Sequence, residues 1–403
     1  MKNKKKVTVI GLGYVGLPTM LLLSNIKKYS VYGYDINKNL LKELQNGKTN
    51  ISEKPIKNLL IQNFKKKKIK LCNTIESSDI FVITVPSDLN KNLRQNKKPL
   101  INVINKISRV LKNKNLIIVE TTSEPGTTHK LLNFIYKKNK KLFEKKNTKP
   151  KFYLAYCPER IFPGNILYEL KNNTRLIGGI NKESSLKAKK FFNNISRNIV
   201  ITDDRTAEIS KLVENSYRNV QIGFVNELAN YAFNNNIDVK KIINTANLHP
   251  RINLLNPGIG VGGHCIPIDP YFLIKNKNKN FQILSTSINI NNDRIYKVVK
   301  IIKHEIKNKK IKEINIFGLT YKADINDFRE SPAIKIVKKI AKIKKVTINA
   351  YDPFLKNSNF FSKKININSK LNLNNKDTLS VLLVAHKKYK NLKKRKDIMD
   401  FTY

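Results

Sequence analysis

One cysteine of this chain stands in a setting that the other two lack. The run Asn256-Pro257-Gly258-Ile259-Gly260-Val261-Gly262-Gly263-His264-Cys265 places four glycines ahead of a thiol. Glycine costs backbone entropy and is kept where a chain turns sharply or presses against a ligand. A cysteine behind such a loop can face a bound substrate, which is where a nucleophilic thiolate has to sit. The competing reading is a buried, inert thiol in a glycine turn. Cys72 and Cys157 have no comparable neighbours. Cys72 reads as core, and Cys157 has no adjacent activator.

A second glycine run does different work. Gly11-Leu12-Gly13-Tyr14-Val15-Gly16 follows a short apolar strand and opens a helix. In a dinucleotide site the first glycine permits the tight turn, the second lets backbone approach a pyrophosphate, and the third lets helix and strand pack closely. Tyr14 and Val15 lie within the turn, and the helix N-terminus offers N–H groups to phosphate. Asp35 ends the next strand, nineteen residues after Gly16. A carboxylate there accepts hydrogen bonds from an adenosine ribose and repels a 2′-phosphate, so NAD is expected rather than NADP. A glycine turn without a ligand is the alternative.

These residues need a scaffold. Short apolar runs at 7–10, 31–34, 80–85, 116–119 and 152–155 alternate with helical stretches such as 14–26 and 100–111. That alternation predicts a parallel sheet covered on both faces. From Arg205 to about Asn234 the pattern becomes one long helix with no proline and one glycine. At about 100° per residue, Ile209, Val213, Val220 and Phe224 share an apolar side, and Lys211, Asn215 and Arg218 lie opposite. Such a helix suits a connector and a dimer surface. Alternation resumes near residue 312, with strands at 314–317, 346–350 and 379–384 and a helix at 332–343. The fold class expected is α/β: two Rossmann-like doubly wound domains joined by a long central helix. The expected divisions are 1–204 for NAD binding, 205–308 for the central helical region and 309–403 for the second nucleotide domain. Residues 357–377 look like a poorly specified loop region, and residues 387–396 like a solvated charge run.

Bulk composition narrows the function. Lys+Arg 78 against Asp+Glu 29 gives a formal charge of +49. The lysines are spread along the whole chain and not gathered into a stripe with interleaved aromatics, so no nucleic-acid partner is expected. Abundant Lys, Asn and Ile fit a biased codon composition. Three widely spaced cysteines suggest neither a disulfide framework nor a metal site. No apolar run approaches the roughly 20 residues that span a bilayer. A cytoplasmic protein without a membrane partner is expected.

Five segments occur in an order that resembles the UDP-glucose/GDP-mannose dehydrogenase family. They are the Ile10 to Gly16 turn, Tyr156-Cys157-Pro158-Glu159-Arg160 through Asn165, Glu208 through Asn215, Gly260 through Cys265, and Phe328-Arg329-Glu330-Ser331-Pro332. The resemblance covers about residues 7 to 386 and is looser after Asp352. The segments Asn247 to Asn253 and Cys157 to Arg160 look most like the branch that oxidises UDP-N-acetyl-D-mannosamine. UDP-glucose, UDP-N-acetylglucosamine and GDP-mannose are the rival substrates, and a non-catalytic basic binding protein is a distant one.

The resemblance implies an NAD domain, a central helix and a UDP domain. It also implies oxidation of the sugar hydroxymethyl group in two steps, through a Cys265 thiohemiacetal and thioester, for a bacterial surface polysaccharide. A free thiol titrates near ~8.5 and needs help at neutral pH; Lys211 is the implied helper, and Asn215, one turn on, a second donor. Asp269 is implied to help deprotonate the alcohol, with a helix N-cap as the other reading. Glu159 is implied to activate the hydrolytic water, or else to be a surface partner of Arg160. Ser123 matches a hydroxyl that orients this water, and Ser87 and Thr128 match nicotinamide or ribose contacts. Arg160, Ile161, Arg218, His249, Arg251, Gly262, Lys322 and Arg329 match substrate-binding positions. Lys322 and Arg329 would hold the diphosphate. His249 would read an N-acetyl group or cap a turn. Arg251 would reach the partner subunit's site, which makes a homodimer expected. His129, His304 and His386 read as surface or structural.

Overall fold

The computed structural model describes residues 4–144, 148–161, 164–274, 279–343, 346–355, 365–367 and 377–402. The chain divides into two compact units, residues 1–213 with 271–273, and residues 214–270 with 274–403.

In the first unit the chain alternates strand and helix. It runs β1 (Lys5–Ile10), α1 (Gly16–Leu23), β2 (Tyr29–Tyr34), α2 (Lys38–Gln45), α3 (Lys54–Lys65), β3 (Ile69–Cys72) and β4 (Ile80–Ile83). It continues with α4 (Lys98–Val110), β5 (Leu116–Val119), α5 (Thr127–Lys138), β6 (Tyr153–Tyr156), α6 (Ile166–Asn172), β7 (Arg175–Gly179), α7 (Lys182–Phe192) and β8 (Ile199–Asp203). The eight strands form one sheet ordered β3-β2-β1-β4-β5-β6-β7-β8. The order reverses at β1/β4, so the glycine turn after β1 opens at the switch point where nucleotides bind in such sheets. β4 and β5 are wholly buried four-residue runs, as strands covered on both faces must be. The parallel arrangement expected from the alternation fails at one place. β7 runs antiparallel to β6, with Ala155 opposite Gly179, and β8 then runs parallel to β7. Apolar runs carry no direction, so this reversal has no mark in the sequence.

Helix α8 (Asp204–Asn234) is the 31-residue central helix. Its exposure inverts the usual amphipathic arrangement. Ile209, Val213 and Phe224 on the apolar side are 40%, 47% and 55% exposed, whereas Lys211 on the polar side is 8% exposed. Arg218 does not follow Lys211 and is exposed.

The second unit holds α9 (Val239–Ala246), the start of α10 (Asp269–Leu273), and α11 (Gln282–Asn308). Its sheet contains β9 (Glu313–Phe317), β10 (Thr347–Tyr351), β11 (Ile365–Ile367), β12 (Thr378–Leu382) and β13 (Ile398–Asp400), with α12 (Pro332–Ile340) between β9 and β10. The order is β11-β10-β9-β12-β13, all parallel. α11 packs closely on the C-terminal part of α8: a Cβ on Gly223 would meet the Ser287 Cβ at 2.9 Å. The single glycine of α8 is a notch for this contact.

Two sequence expectations change here. Residues 357–377 contain the short strand β11, whose Ile365 is buried; most of the remaining stretch lies outside the described residues. The charge run at 387–396 is not simply a solvated surface. Tyr389 and Leu392 within it are buried and pack with Phe317, Tyr351 and Ile398.

Candidate active site

In the first unit the glycine turn has the geometry that a dinucleotide needs. Gly11 sits at φ +92°, and a Cβ there would meet the Thr84 carbonyl oxygen at 2.8 Å. A Cβ on Gly16 would lie 1.8 Å from the Gly11 carbonyl oxygen, so only glycine lets α1 start this close to β1. A Cβ on Gly13 would meet nothing within 4 Å. The backbone at Gly13 is therefore open on the side where a pyrophosphate would rest. Val15 precedes α1 without a side-chain cap, and Tyr14 and Val15 are half-buried. Leu17 and Thr19 N–H donate to the Gly13 and Val15 carbonyls, each at 3.1 Å, and Pro18 has no N–H, so α1 offers an anion its positive end and the backbone of the turn before it. Asp35 follows β2; its carboxylate accepts from Leu12 N–H and Asn37 N–H, each at 2.8 Å. It holds the glycine turn against the end of β2 and keeps further lone pairs for ribose hydroxyls. These residues fit NAD.

Ser87 is buried, and its hydroxyl accepts from Gln95 Nε2 at 2.8 Å. Gln95 was not marked by sequence reasoning. Its Nε2 also donates to the Thr122 carbonyl at 3.1 Å, and its Oε1 accepts from Glu124 N–H at 3.1 Å. One buried amide thus latches the loop after β4 to the loop after β5. Thr128 is 1% exposed, and its N–H and hydroxyl both donate to Glu208 Oε1 at 2.7 Å. Glu208 of α8 thereby caps the first turn of α5.

Ser123 is fully buried, and its hydroxyl donates to the Thr121 carbonyl at 2.8 Å. Its neighbour Thr122 is half-buried and is the more accessible hydroxyl of this loop. Residue type alone could not separate the two, because the local backbone decides which side chain turns inward.

Glu159 follows β6. Beside it, the Arg160 guanidinium donates to the Thr174 carbonyl at 2.9 Å. Glu159 Oε1 is buried and has no hydrogen-bond partner among the described residues. Burial pushes its pKa up to about 8, against the opposing charge of Lys211, while Glu120 adds to the rise. The Ile161 backbone also bonds this carboxylate, and a carboxylate with one open oxygen and a raised pKa is suited to take a proton from water. Glu120 is buried in an ion pair with Arg175 at 2.6 Å, and the Arg175 guanidinium lies 4.1 Å over the Phe192 ring. Burial also pushes the Cys157 thiol up, which makes it inert. Cys72 is half-buried at the end of β3, with its thiol on the Gly33 carbonyl. Ile161 packs partly buried against the sheet core.

In the second unit Cys265 is exposed, unlike either other cysteine. Its carbonyl accepts from Ile268 N–H at 3.1 Å and Asp269 N–H at 2.9 Å. Asp269 is 3% exposed, and its Oδ2 accepts from Asn215 Nδ2 at 2.5 Å. The N-cap reading of Asp269 is not met: Ile268 holds that position, Asp269 is the first helical residue, and its carboxylate turns to Asn215. Lys211 lies one turn before Asn215 on α8, so the two share a face.

The loop glycines press on protein. A Cβ on Gly262 would meet Pro332 Cδ at 2.7 Å and Tyr321 Cβ at 2.8 Å, and one on Gly263 the Tyr321 ring at 2.9 Å. Gly263 N–H donates to the Arg329 carbonyl at 3.1 Å. The cysteine loop is thus seated against the segment that carries Lys322 and Arg329. Both side chains are exposed; Arg329 makes a forked pair with Asp327, at 2.6 Å from its terminal nitrogen. His249 caps a turn, its Nδ1 accepting from Arg251 N–H at 3.3 Å. Arg251 and Arg218 are exposed. His386 is buried: Nε2 lies 3.0 Å from Asp352 Oδ2, and Nδ1 accepts from Asp324 N–H at 2.9 Å. Among the described residues no cluster of His, Cys, Asp or Glu could hold a metal, and no helix is long and apolar enough to cross a membrane.

Residues 5–196 match the NAD binding domain of the UDP-glucose/GDP-mannose dehydrogenase family, residues 205–293 its central domain and residues 315–402 its UDP binding domain. A UDP-N-acetyl-D-mannosamine dehydrogenase of Methanococcus aeolicus is 38% identical over 408 residues, covering 100% of this chain and 89% of that protein. One from Campylobacter jejuni is 36% identical, covering 88% of each. The structure of a UDP-D-ManNAc dehydrogenase from Pyrococcus horikoshii superposes with a TM-score of 0.86 at 31% identity, covering 98% of this chain and 95% of that one.

Proposed function

This chain belongs to the UDP-glucose/GDP-mannose dehydrogenase family, NAD-dependent oxidoreductases acting on nucleotide-linked sugars, and from that premise we propose that it oxidises UDP-N-acetyl-D-mannosamine to the uronic acid. The named relatives support this sugar over UDP-glucose. We assign residues 1–204 to NAD binding, 205–308 to the central region and 309–403 to the UDP end.

The observation that carries the mechanism is the double tie of Asp269, through its N–H to Cys265 and through its carboxylate to Asn215. A bound NAD⁺ supplies the hydride acceptor, and one sugar consumes two. Asp269 takes the proton of the hydroxymethyl group as it becomes an aldehyde. An aldehyde hydrate forms poorly, and a thiolate adds far more readily. Cys265 sulfur bonds as thiolate to the aldehyde carbon, and Asp269 returns its proton to the oxygen, giving a thiohemiacetal. Asp269 then takes that proton again while the carbon-bound hydrogen leaves as hydride to the second NAD⁺, and a thioester remains. Lys211 and Asn215 stabilise charge on the oxygen during these steps. Glu159 removes a proton from water, which attacks the thioester; the C–S bond breaks and the thiol is regenerated. The hydroxyl that orients this water was expected from Ser123; its inward bond favours Thr122.

Arg160, Ile161, Arg218, His249, Gly262, Lys322 and Arg329 are assigned to the substrate, and Gly11, Gly13, Tyr14, Val15, Gly16, Asp35, Ser87 and Thr128 to NAD. The exposed apolar face of α8 supports a homodimer, in which Arg251 reaches the partner's site. NADH formation with UDP-N-acetyl-D-mannosamine, UDP-N-acetylglucosamine, UDP-glucose and GDP-mannose in parallel tests the substrate. Equal or faster turnover of UDP-glucose removes the assignment. Mass spectrometry of Cys265→Ser with substrate and NAD⁺ tests the mechanism, and full conversion to uronic acid refutes it.

A further inference from the structure

The segment from Gly258 to Asp269 carries the thiol yet has little regular structure of its own. Its backbone groups must be satisfied from elsewhere. Three anchors come from one face of α8. Asn226 Oδ1 accepts from Gly258 N–H at 2.8 Å, Asn219 Nδ2 donates to the Ile266 carbonyl at 3.3 Å, and Asn215 Nδ2 donates to Asp269. The anchors run backwards along the helix as the loop runs forwards, so the loop lies antiparallel to α8 in a fixed register.

A second layer fixes the first. Asn291 of α11 accepts from Asn226 Nδ2 at 2.9 Å and donates to the Asn219 carbonyl and Oδ1 at 3.0 and 3.1 Å. Arg294 donates from Nε to the Gly258 carbonyl at 2.9 Å and from a terminal nitrogen to Asn230 Oδ1. The amide orientations are not free choices. Gly258 N–H requires an oxygen from Asn226, and the Asn219 carbonyl requires a nitrogen from Asn291. Both requirements agree along the whole chain of bonds.

The network is costly to bury. Asn226, Arg294, Asn219 and Asn291 are 0%, 1%, 2% and 3% exposed. Polar groups in such positions destabilise unless each is bonded, and apolar side chains would pack two helices at lower cost. What the polar set supplies beyond packing is a hold on both ends of the cysteine loop.

We propose that Asn219, Asn226, Asn291 and Arg294 are positioning residues for Cys265, holding its loop in register along α8. The inference rests on the nucleophile role given to Cys265 above. Asn219 is the most direct of the four, because it grips the residue that follows the thiol. Arg294 grips the far end.

The test uses the full chain with Asn219→Ala, Arg294→Met and Arg294→Lys. The pH profile of Cys265 alkylation by iodoacetamide is followed by peptide mass spectrometry, beside kcat and KM. Asn219→Ala is expected to lower kcat about 100-fold, as small misplacements do, with KM for NAD⁺ unchanged. Its alkylation departs from the wild-type profile, because the loop no longer holds the thiol in one place. Arg294→Met behaves alike, and Arg294→Lys recovers part of the loss. Should Arg294→Met fail to fold, Asn219→Ala decides. A folded Asn219→Ala protein with wild-type kcat and alkylation profile overturns the proposal, even if its melting temperature falls. Turnover that survives full alkylation of wild-type Cys265 would instead remove the nucleophile role, and the variant profiles would still decide whether the network places the thiol.

Discussion

Asn215 donates to the Asp269 carboxylate at 2.5 Å, and Asp269 N–H donates in turn to the carbonyl of Cys265. A single aspartate therefore joins the helix to the thiol's own backbone. Asp269→Asn keeps the shape but removes the acceptor for the substrate proton, and it sets two amides against each other. Loss of a general base costs on the order of 100-fold or more in kcat. Steady-state NADH formation measures this. Substrate KM within the wild-type range would place the loss in the chemical step; an unchanged kcat would remove Asp269 from it.

Much of this was legible in the sequence, and the gaps have physical causes. The glycine turn, Asp35 and the Cys265 loop could be read because most of their glycines sit at positive φ or press on a neighbour. Most strands up to residue 156 could be read because apolar runs alternate with helical ones; β3 could not, because Lys70 interrupts it and only Ile69 is buried. α11 was missed because Ser287, Asn291 and Arg294 occupy its buried face and break the apolar period. The buried asparagines of α8 disguise its inner side in the same way, so the apolar stripe that normally marks a core here marks the outside. At Gly262 and Gly263 close approach could be read, but not its protein partners, Pro332 and Tyr321, which lie far off in sequence. That the Ser123 hydroxyl turns inward while Thr122 stays half-buried could not be read, because a strand end gives no hint of which side chain turns in.

The two ends of the glycine turn should respond differently to the same change. Gly13→Ala meets open space. It should fold normally and bind NAD⁺ about tenfold more weakly, a loss of about 1.4 kcal/mol. Gly16→Ala drives a methyl group into the Gly11 carbonyl. It should lose about 3 kcal/mol or more of stability, since the obstacle is backbone. Calorimetric NAD⁺ titration and thermal melts separate the two. Equal destabilisation by both would contradict the assignment of Gly13 to the cofactor.

Glu159 should set a pH dependence of both release and stability. Its pKa is pushed up to about 8, chiefly by burial. Thioester hydrolysis needs the carboxylate, so the rate of uronic acid release should climb with pH through about 8. The stability effect has the opposite sense. The folded form holds a proton that the unfolded chain, with a carboxyl near about 4.3, gives up sooner. The contribution of Glu159 is intact below that value and is lost as pH rises to the folded value of about 8. Glu159→Gln removes this loss, so its melting temperature should exceed that of the wild type most clearly above pH 8. The same variant should accumulate a covalent adduct on Cys265, visible by intact-mass measurement. A Glu159→Gln protein that releases product at the wild-type rate would take the base role from this residue.

The outer face of α8 should be a subunit interface. Ile209, Val213, Tyr217, Phe224 and Tyr231 are 40%, 47%, 63%, 55% and 59% exposed. Their spacing puts them on one side of the helix, and monomers rarely expose a contiguous apolar stripe of that kind. Tyr217→Lys with Phe224→Glu should convert a dimer to a monomer in sedimentation velocity while the fold persists. A dimer that survives both charges would move the interface elsewhere. The role of Arg251 then has its own test. Arg251→Ala and Cys265→Ser chains, each inactive alone, are mixed so that subunits exchange. If Arg251 serves the partner's site, each mixed dimer holds one complete site, and random pairing restores about a quarter of wild-type turnover. If Arg251 serves its own subunit, every site in the mixture lacks one of the two groups, and turnover stays at the level of the separate variants.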